Sequence, residues 1–112
     1  QELKKYSKYF DIVILSLGED GHIASLFPNH SSIKDESEFF ILVKNSPKNP
    51  SFRISASRRL LLRSEFAVLL IFGKEKKKAY QLFLNEPVNY DSCPAHILKD
   101  ISNCYVLTDL DI

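Results

Sequence analysis

The residues best equipped for chemistry lie in one short turn, Gly18-Glu19-Asp20-Gly21-His22. It packs two carboxylates and an imidazole between two glycines. A histidine with an ordinary pKa of about 6.5 takes or gives a proton near neutral pH. A neighbouring carboxylate orients such a ring and stabilises its protonated form. His22 is therefore either a proton-transfer group with Asp20 orienting it or a helix N-terminal residue without chemistry, and the residues of the turn alone leave both open. Glu19 is expected to be exposed. His30 and His96 lack comparable neighbours and are expected to be structural.

The elements around this turn must hold it at the end of a sheet. Ile12 to Leu17 is an almost continuous apolar run, as in a strand buried on both faces of a parallel sheet. It ends at Gly18. Phe39–Val43, Phe52–Ser55, Phe66–Phe72 and Tyr105–Leu107 read as further strands. Residues 1–9 place Leu3, Tyr6 and Tyr9 at helical spacing, as in the tail of a helix. His22–Phe27 reads as a short helix stopped by Pro28. Residues 29–38 read as a surface loop, 45–50 as irregular because of two prolines, and 57–65 as a helical stretch. Residues 74–84 read as an amphipathic helix with Ala79, Leu82 and Phe83 on one face. Residues 85–93 form a loop, and Pro94–Leu98 one helical turn with proline at its first position. Strands alternating with helices indicate an α/β fold with a mostly parallel sheet. All three glycines, Gly18, Gly21 and Gly73, follow such strands. Ligands of open α/β sheets bind outside the carboxyl ends of the strands, where glycine lets backbone N–H groups approach them.

Composition narrows the function. The 112 residues suffice for one domain, 1–112, and 45% of them are hydrophobic. Fifteen basic against fourteen acidic residues leave a net charge of +1, which gives no support for nucleic acid or an anionic membrane as partner. The longest apolar stretch, Phe66–Phe72, falls far short of the roughly 20 residues a membrane span needs. Two cysteines, Cys93 and Cys104, without a CxxC spacing suggest neither a disulfide framework nor a zinc site, and make a reducing compartment the default. The chain opens on Gln1, as expected of a processed or truncated product.

The stretch Phe10-Asp11-Ile12-Val13-Ile14-Leu15-Ser16-Leu17-Gly18-Glu19-Asp20-Gly21-His22-Ile23-Ala24-Ser25-Leu26-Phe27-Pro28 resembles the signature of 6-phosphogluconolactonases, a buried strand followed by G-x-G-x-D-G-H-T-A-S-L-F-P-G. Ser16, Ile23 and Asn29 depart from it, while D-G-H and A-S-L-F-P are intact. Pro50-Ser51-Phe52-Arg53-Ile54-Ser55 is similar to the family's P-x-x-R-I-T/S segment, and Gly73-Lys74-Glu75-Lys76 to its G-x-x-K. Pro94-Ala95 and Tyr105 to Asp109 resemble its closing helix and strand. The likeness spans about the second half of the family's usual length. The early S-G-G-S/T and D-E-R segments have no counterpart here.

The resemblance implies a Rossmann-like fold of the sugar-phosphate isomerase/lactonase type, here in part. It implies hydrolysis of 6-phosphoglucono-δ-lactone to 6-phosphogluconate in the oxidative pentose phosphate pathway, in the cytoplasm, without metal or organic cofactor. His22 would be the base, assisted by Asp20. The N–H groups around Gly18 and Gly21 would lie near the lactone oxygens. Arg53 would grip phosphate with its planar fork, and Lys76 would be a second cation. Lys74, Lys77 and Lys78 read as a solvated helix face, Arg58 and Arg59 as surface charges, and Ser25 as a capping or packing residue.

Glucosamine-6-phosphate deaminases carry a similar D-G-H-I-A, and Ile23 matches that version. They continue with F-N-E-P, whereas here Ser25-Leu26-Phe27-Pro28 holds no carboxylate. A third reading is a non-catalytic half that self-associates or needs its missing N-terminal half.

Overall fold

The computed structural model describes residues 9–111. In chain order the elements are β1 (Ile12–Ser16), β2 (Phe40–Val43), β3 (Arg53–Ala56), helix α1 (Arg58–Leu62), β4 (Phe66–Ile71), helix α2 (Lys77–Leu84) and β5 (Asn103–Thr108). Three 3₁₀ stretches join them, Ser31–Lys34, Lys74–Lys76 and Pro94–Asp100.

The three long apolar strands form one parallel sheet in the order β1-β4-β5. β2 and β3 pair antiparallel as a separate ribbon, with Leu42 opposite Ile54. The α/β expectation with a parallel sheet and flanking helices therefore holds. Period-two alternation divides the sheet into two faces. On β4, Ala67, Leu69 and Ile71 are fully buried. They meet Phe27, Leu61, Ile97 and Leu98, together with Ala79 and Phe83, which lie four apart on α2.

The opposite face is uncovered among the described residues. Ile14, Val68 and Tyr105 stand side by side across it, as do Ser16, Leu70 and Leu107. Ile12 and Ile14 are 60% and 63% exposed, and Tyr105 and Leu107 55% and 53%. Parallel sheets are normally covered on both faces; the expectation that β1 is buried on both faces is corrected, because one of its faces is bare among the described residues.

Several boundaries differ from the sequence reading. The segment 22–27 is no helix: Ile23 and Leu26 form an isolated bridge, and Ala24 has a left-handed φ of 49°. Its i, i+3, i+4 apolar spacing reflects burial on all sides, with Ile23, Leu26 and Phe27 fully enclosed. The loop 29–38 contains the Ser31–Lys34 turn, whose N-cap is the His30 ring accepting from the Ser32 N–H. The last strand is twice the expected length. The helical tail expected over 1–9 lies, apart from Tyr9, outside the described residues.

Candidate active site

β1 delivers the chain to Leu17, whose N–H donates to the Leu70 carbonyl at the end of β4. The turn then closes on itself. The Gly18 N–H donates to the His22 carbonyl (2.9 Å), and the Gly21 N–H to the Gly18 carbonyl (3.0 Å). The His22 ring lies directly on Gly18. A Cβ added there would fall 2.0 Å from Nδ1. Gly21 has φ +92° and backs onto the Cys93 sulfur.

Asp20 Oδ1 accepts from the His22 backbone N–H (3.1 Å) and lies 2.5 Å from Nδ1 of the same ring. With a carboxylate on Nδ1, the hydrogen-bond network assigns the neutral ring a proton there. Nε2 is then left as the basic nitrogen. It has no hydrogen-bond partner among the described residues and is not sealed from solvent. Burial acts to raise the Asp20 pKa, but the hydrogen bonds from His22, its charge and that of Lys48 outweigh this and lower it below 3.8. Carboxylate, ring and unpartnered nitrogen are an arrangement able to accept a proton from a ligand or water.

The ring is also held from behind. Phe27 packs against it with centroids 4.8 Å apart. The Arg53 guanidinium covers Phe27 at 5.3 Å. Arg53 also donates to three carbonyls, Lys48 (3.2 Å), Asn49 (2.7 Å) and Pro50 (3.1 Å). Two residues along β3, the Ser55 hydroxyl accepts from the Ser25 N–H (3.0 Å). Lys76 reaches across from the end of β4, its Nζ donating to the Leu17 carbonyl (2.8 Å) beside Gly18.

The structure thus brings Gly18, Asp20, Gly21, His22, Arg53 and Lys76 to one end of the sheet. Of the N–H groups around Gly18 and Gly21, those of the two glycines themselves are engaged inside the turn, so these glycines supply space and conformation. Ser25 is a buried packing residue with no helix to cap. His96 is enclosed, accepting from the Asn89 N–H at Nδ1 and facing the Leu82 and Phe83 carbonyls with Nε2. Burial pushes the Cys93 thiol up, which keeps it protonated at neutral pH. Among the described residues, no three His, Cys, Asp or Glu side chains cluster as a metal site.

Sequence reasoning missed Phe27, Ser55 and Lys48. The signal for Ser55 was available, because alternation along Arg53-Ile54-Ser55 puts Arg53 and Ser55 on one face.

Comparison with known proteins agrees with the fold. The chain is 45% identical over 101 residues to the 6-phosphogluconolactonase of Borreliella burgdorferi, covering 90% of this chain and 43% of that protein. The crystal structure of 6-phosphogluconolactonase from Leishmania guyanensis superposes with a TM-score of 0.73 at 28% identity, over 89% of this chain and 39% of that one. The 6-phosphogluconolactonase structure from Shewanella baltica shares the fold, with a TM-score of 0.79 at 24% identity over 96% of this chain and 46% of that one. The chain therefore spans less than half the length of these relatives. Residues 1–106 match the family of glucosamine-6-phosphate isomerases and 6-phosphogluconolactonase, and the chain belongs to that family.

Proposed function

We propose that the protein hydrolyses 6-phosphoglucono-δ-lactone to 6-phosphogluconate, with His22 as general base. The carrying observation is the Asp20–His22 pair, 2.5 Å apart at the carboxyl end of β1, with the imidazole partly exposed and Nε2 without a hydrogen-bond partner among the described residues. The 45% identity to a 6-phosphogluconolactonase supports the choice of substrate. Water gives a proton to Nε2 while its oxygen attacks the lactone carbonyl. Asp20 holds Nδ1–H and stabilises the imidazolium. The tetrahedral oxyanion then expels the ring oxygen, which takes the proton back from Nε2 as a hydroxyl. The carboxylic acid that results ionises.

Lys76 is the proposed cation for the phosphate, since one of its three ammonium protons is engaged with Leu17. No cofactor enters this scheme. Further phosphate contacts are assigned to the part of the fold that the relatives carry beyond this match. The enzyme is proposed as cytoplasmic, with the phosphorylated lactone as its partner and no nucleic acid. No helix among the described residues is long and apolar enough to cross a membrane.

The family also holds isomerases, but the position where deaminases place a carboxylate is occupied by the enclosed ring of Phe27. The test offers 6-phosphogluconolactone and glucosamine 6-phosphate to the full-length protein. Lactone loss above the spontaneous rate without ammonia release supports the proposal. Ammonia release overturns it.

A further inference from the structure

We propose that Arg53 is a positioning residue for the His22 imidazole, acting through Phe27, and not a phosphate ligand. Activity readouts of this idea rest on the lactonase reading above; the spectroscopic readout does not.

The Arg53 guanidinium is committed to backbone carbonyls. Nε and one Nη donate to the carbonyls of Pro50, Lys48 and Asn49. The plane is thereby locked onto the turn that precedes β3. A phosphate fork needs parallel N–H groups free on one edge, and these contacts occupy the Nε side of it. The charge instead covers the Phe27 ring. Phe27 itself is fully enclosed.

Phe27 has three aromatic or cationic neighbours: Arg53, the edge of His30 at 6.1 Å, and His22 at 4.8 Å. His30 is itself pinned through Ser32 and the Lys44 and Asn45 carbonyls. His22 is the member of this stack with an unengaged ring nitrogen. It is held on one side by Asp20 and on another by Phe27. Ser55 fixes the same loop at Ser25, two residues before Phe27. β3 therefore grips the 22–28 segment at two points from one face. Removing the Arg53 contact frees Phe27 to move, and with it the surface that His22 rests on. Misplacing a catalytic group by about 1 Å is enough to cost on the order of 100-fold in rate.

The experiment uses Arg53→Ala, Arg53→Lys and Phe27→Leu in the full-length protein. It records the His22 ring nitrogen signals by NMR, and kcat and KM on phosphorylated and unphosphorylated gluconolactone. Positioning predicts shifted His22 signals in all three variants. It predicts kcat lower by about 10–100-fold on both substrates, with KM nearly unchanged. Lysine does not rescue, because a point-like ammonium cannot hold three carbonyls and cover a ring. The proposal is overturned if Arg53→Ala raises KM for the phosphorylated lactone alone, Arg53→Lys restores it, and the His22 signals stay in place. Should Arg53→Ala fail to fold, the lysine and leucine variants decide by the same criteria. Shifted His22 signals in a protein without lactonase activity would support positioning and sink the lactonase reading.

Discussion

Gly18 and Gly21 flank the same turn but are required for different reasons. Gly18 has no positive φ among its constraints. What excludes a side chain is the His22 ring, 2.0 Å from where the methyl would stand. Gly18→Ala is thus expected to displace the ring, lowering turnover about as far as His22→Ala, by roughly 10²–10⁴-fold, while circular dichroism stays native. Gly21→Ala instead forces φ +92° on a residue with a Cβ and crowds the Cys93 sulfur at 3.3 Å. It should destabilise by about 1–2 kcal/mol, visible as a lower midpoint in urea. Asp20 gives the turn its pH dependence. Its folded pKa is lowered from 3.8, so its stabilisation is present above that value and lost as pH falls through the lower folded value. Asp20→Asn should flatten the acid limb of stability below about pH 4, measured by urea unfolding across pH. The Asp20–His22 pair was legible in sequence because its members are two residues apart. Phe27 was not, since its contact with Arg53 joins positions 26 residues apart in the chain.

Local pattern identified the strands better than the segments between them. β4 alternates buried and half-buried positions, and its apolar run is unbroken. The helices are short and depend on caps. α1 has five residues, and its N-cap Ser57 accepts from the Leu60 N–H at 3.0 Å while fully buried. Ser57→Ala leaves that donor unpaired and should cost about 1–2 kcal/mol, read from chemical denaturation. The arginines of this region were legible only as charges. Arg58 donates to the Ile33 carbonyl and pairs with Glu36, Arg59 donates to the Glu36 carbonyl, and Arg63 to that of Glu38. They fasten the 33–38 loop onto α1 instead of simply facing water. Spacing along the chain carries no trace of this, because the Ile33, Glu36 and Glu38 carbonyls lie at least 23 residues from the arginines that reach them.

For the molecule as a whole, the uneven covering of the sheet decides behaviour in solution. One face is packed by α1, α2 and the 93–101 segment; the other presents Ile12, Ile14, Tyr105 and Leu107 to solvent. A large apolar side chain contributes roughly 1.5–3 kcal/mol on full burial. Four of them on the two outer strands, with Val68 and Leu70 of β4 between, form a contiguous patch of the kind that marks a contact surface. Among the described residues the outer edges of β1 and β5 have no partner strand, which adds unpaired backbone groups beside it. The partial fold was legible in sequence, because the resemblance began midway through the family's pattern. Which face would be bare was not, since β1 is apolar at every position but its last. We infer that residues 1–112 alone self-associate through this face. Rotational and translational losses of several kcal/mol oppose that gain, so the association should be weak and concentration-dependent. Light scattering on a dilution series should show mass falling toward 12.9 kDa. Placing lysines at Ile14 and Leu107, which lie on the exposed face and away from the core, should shift the series to monomer without lowering the unfolding midpoint. A wild-type chain that stays monomeric at all concentrations would remove this face as the contact. Lysine variants that associate as before would place the contact on the β2–β3 ribbon, where Leu42, Phe52 and Ile54 are also exposed.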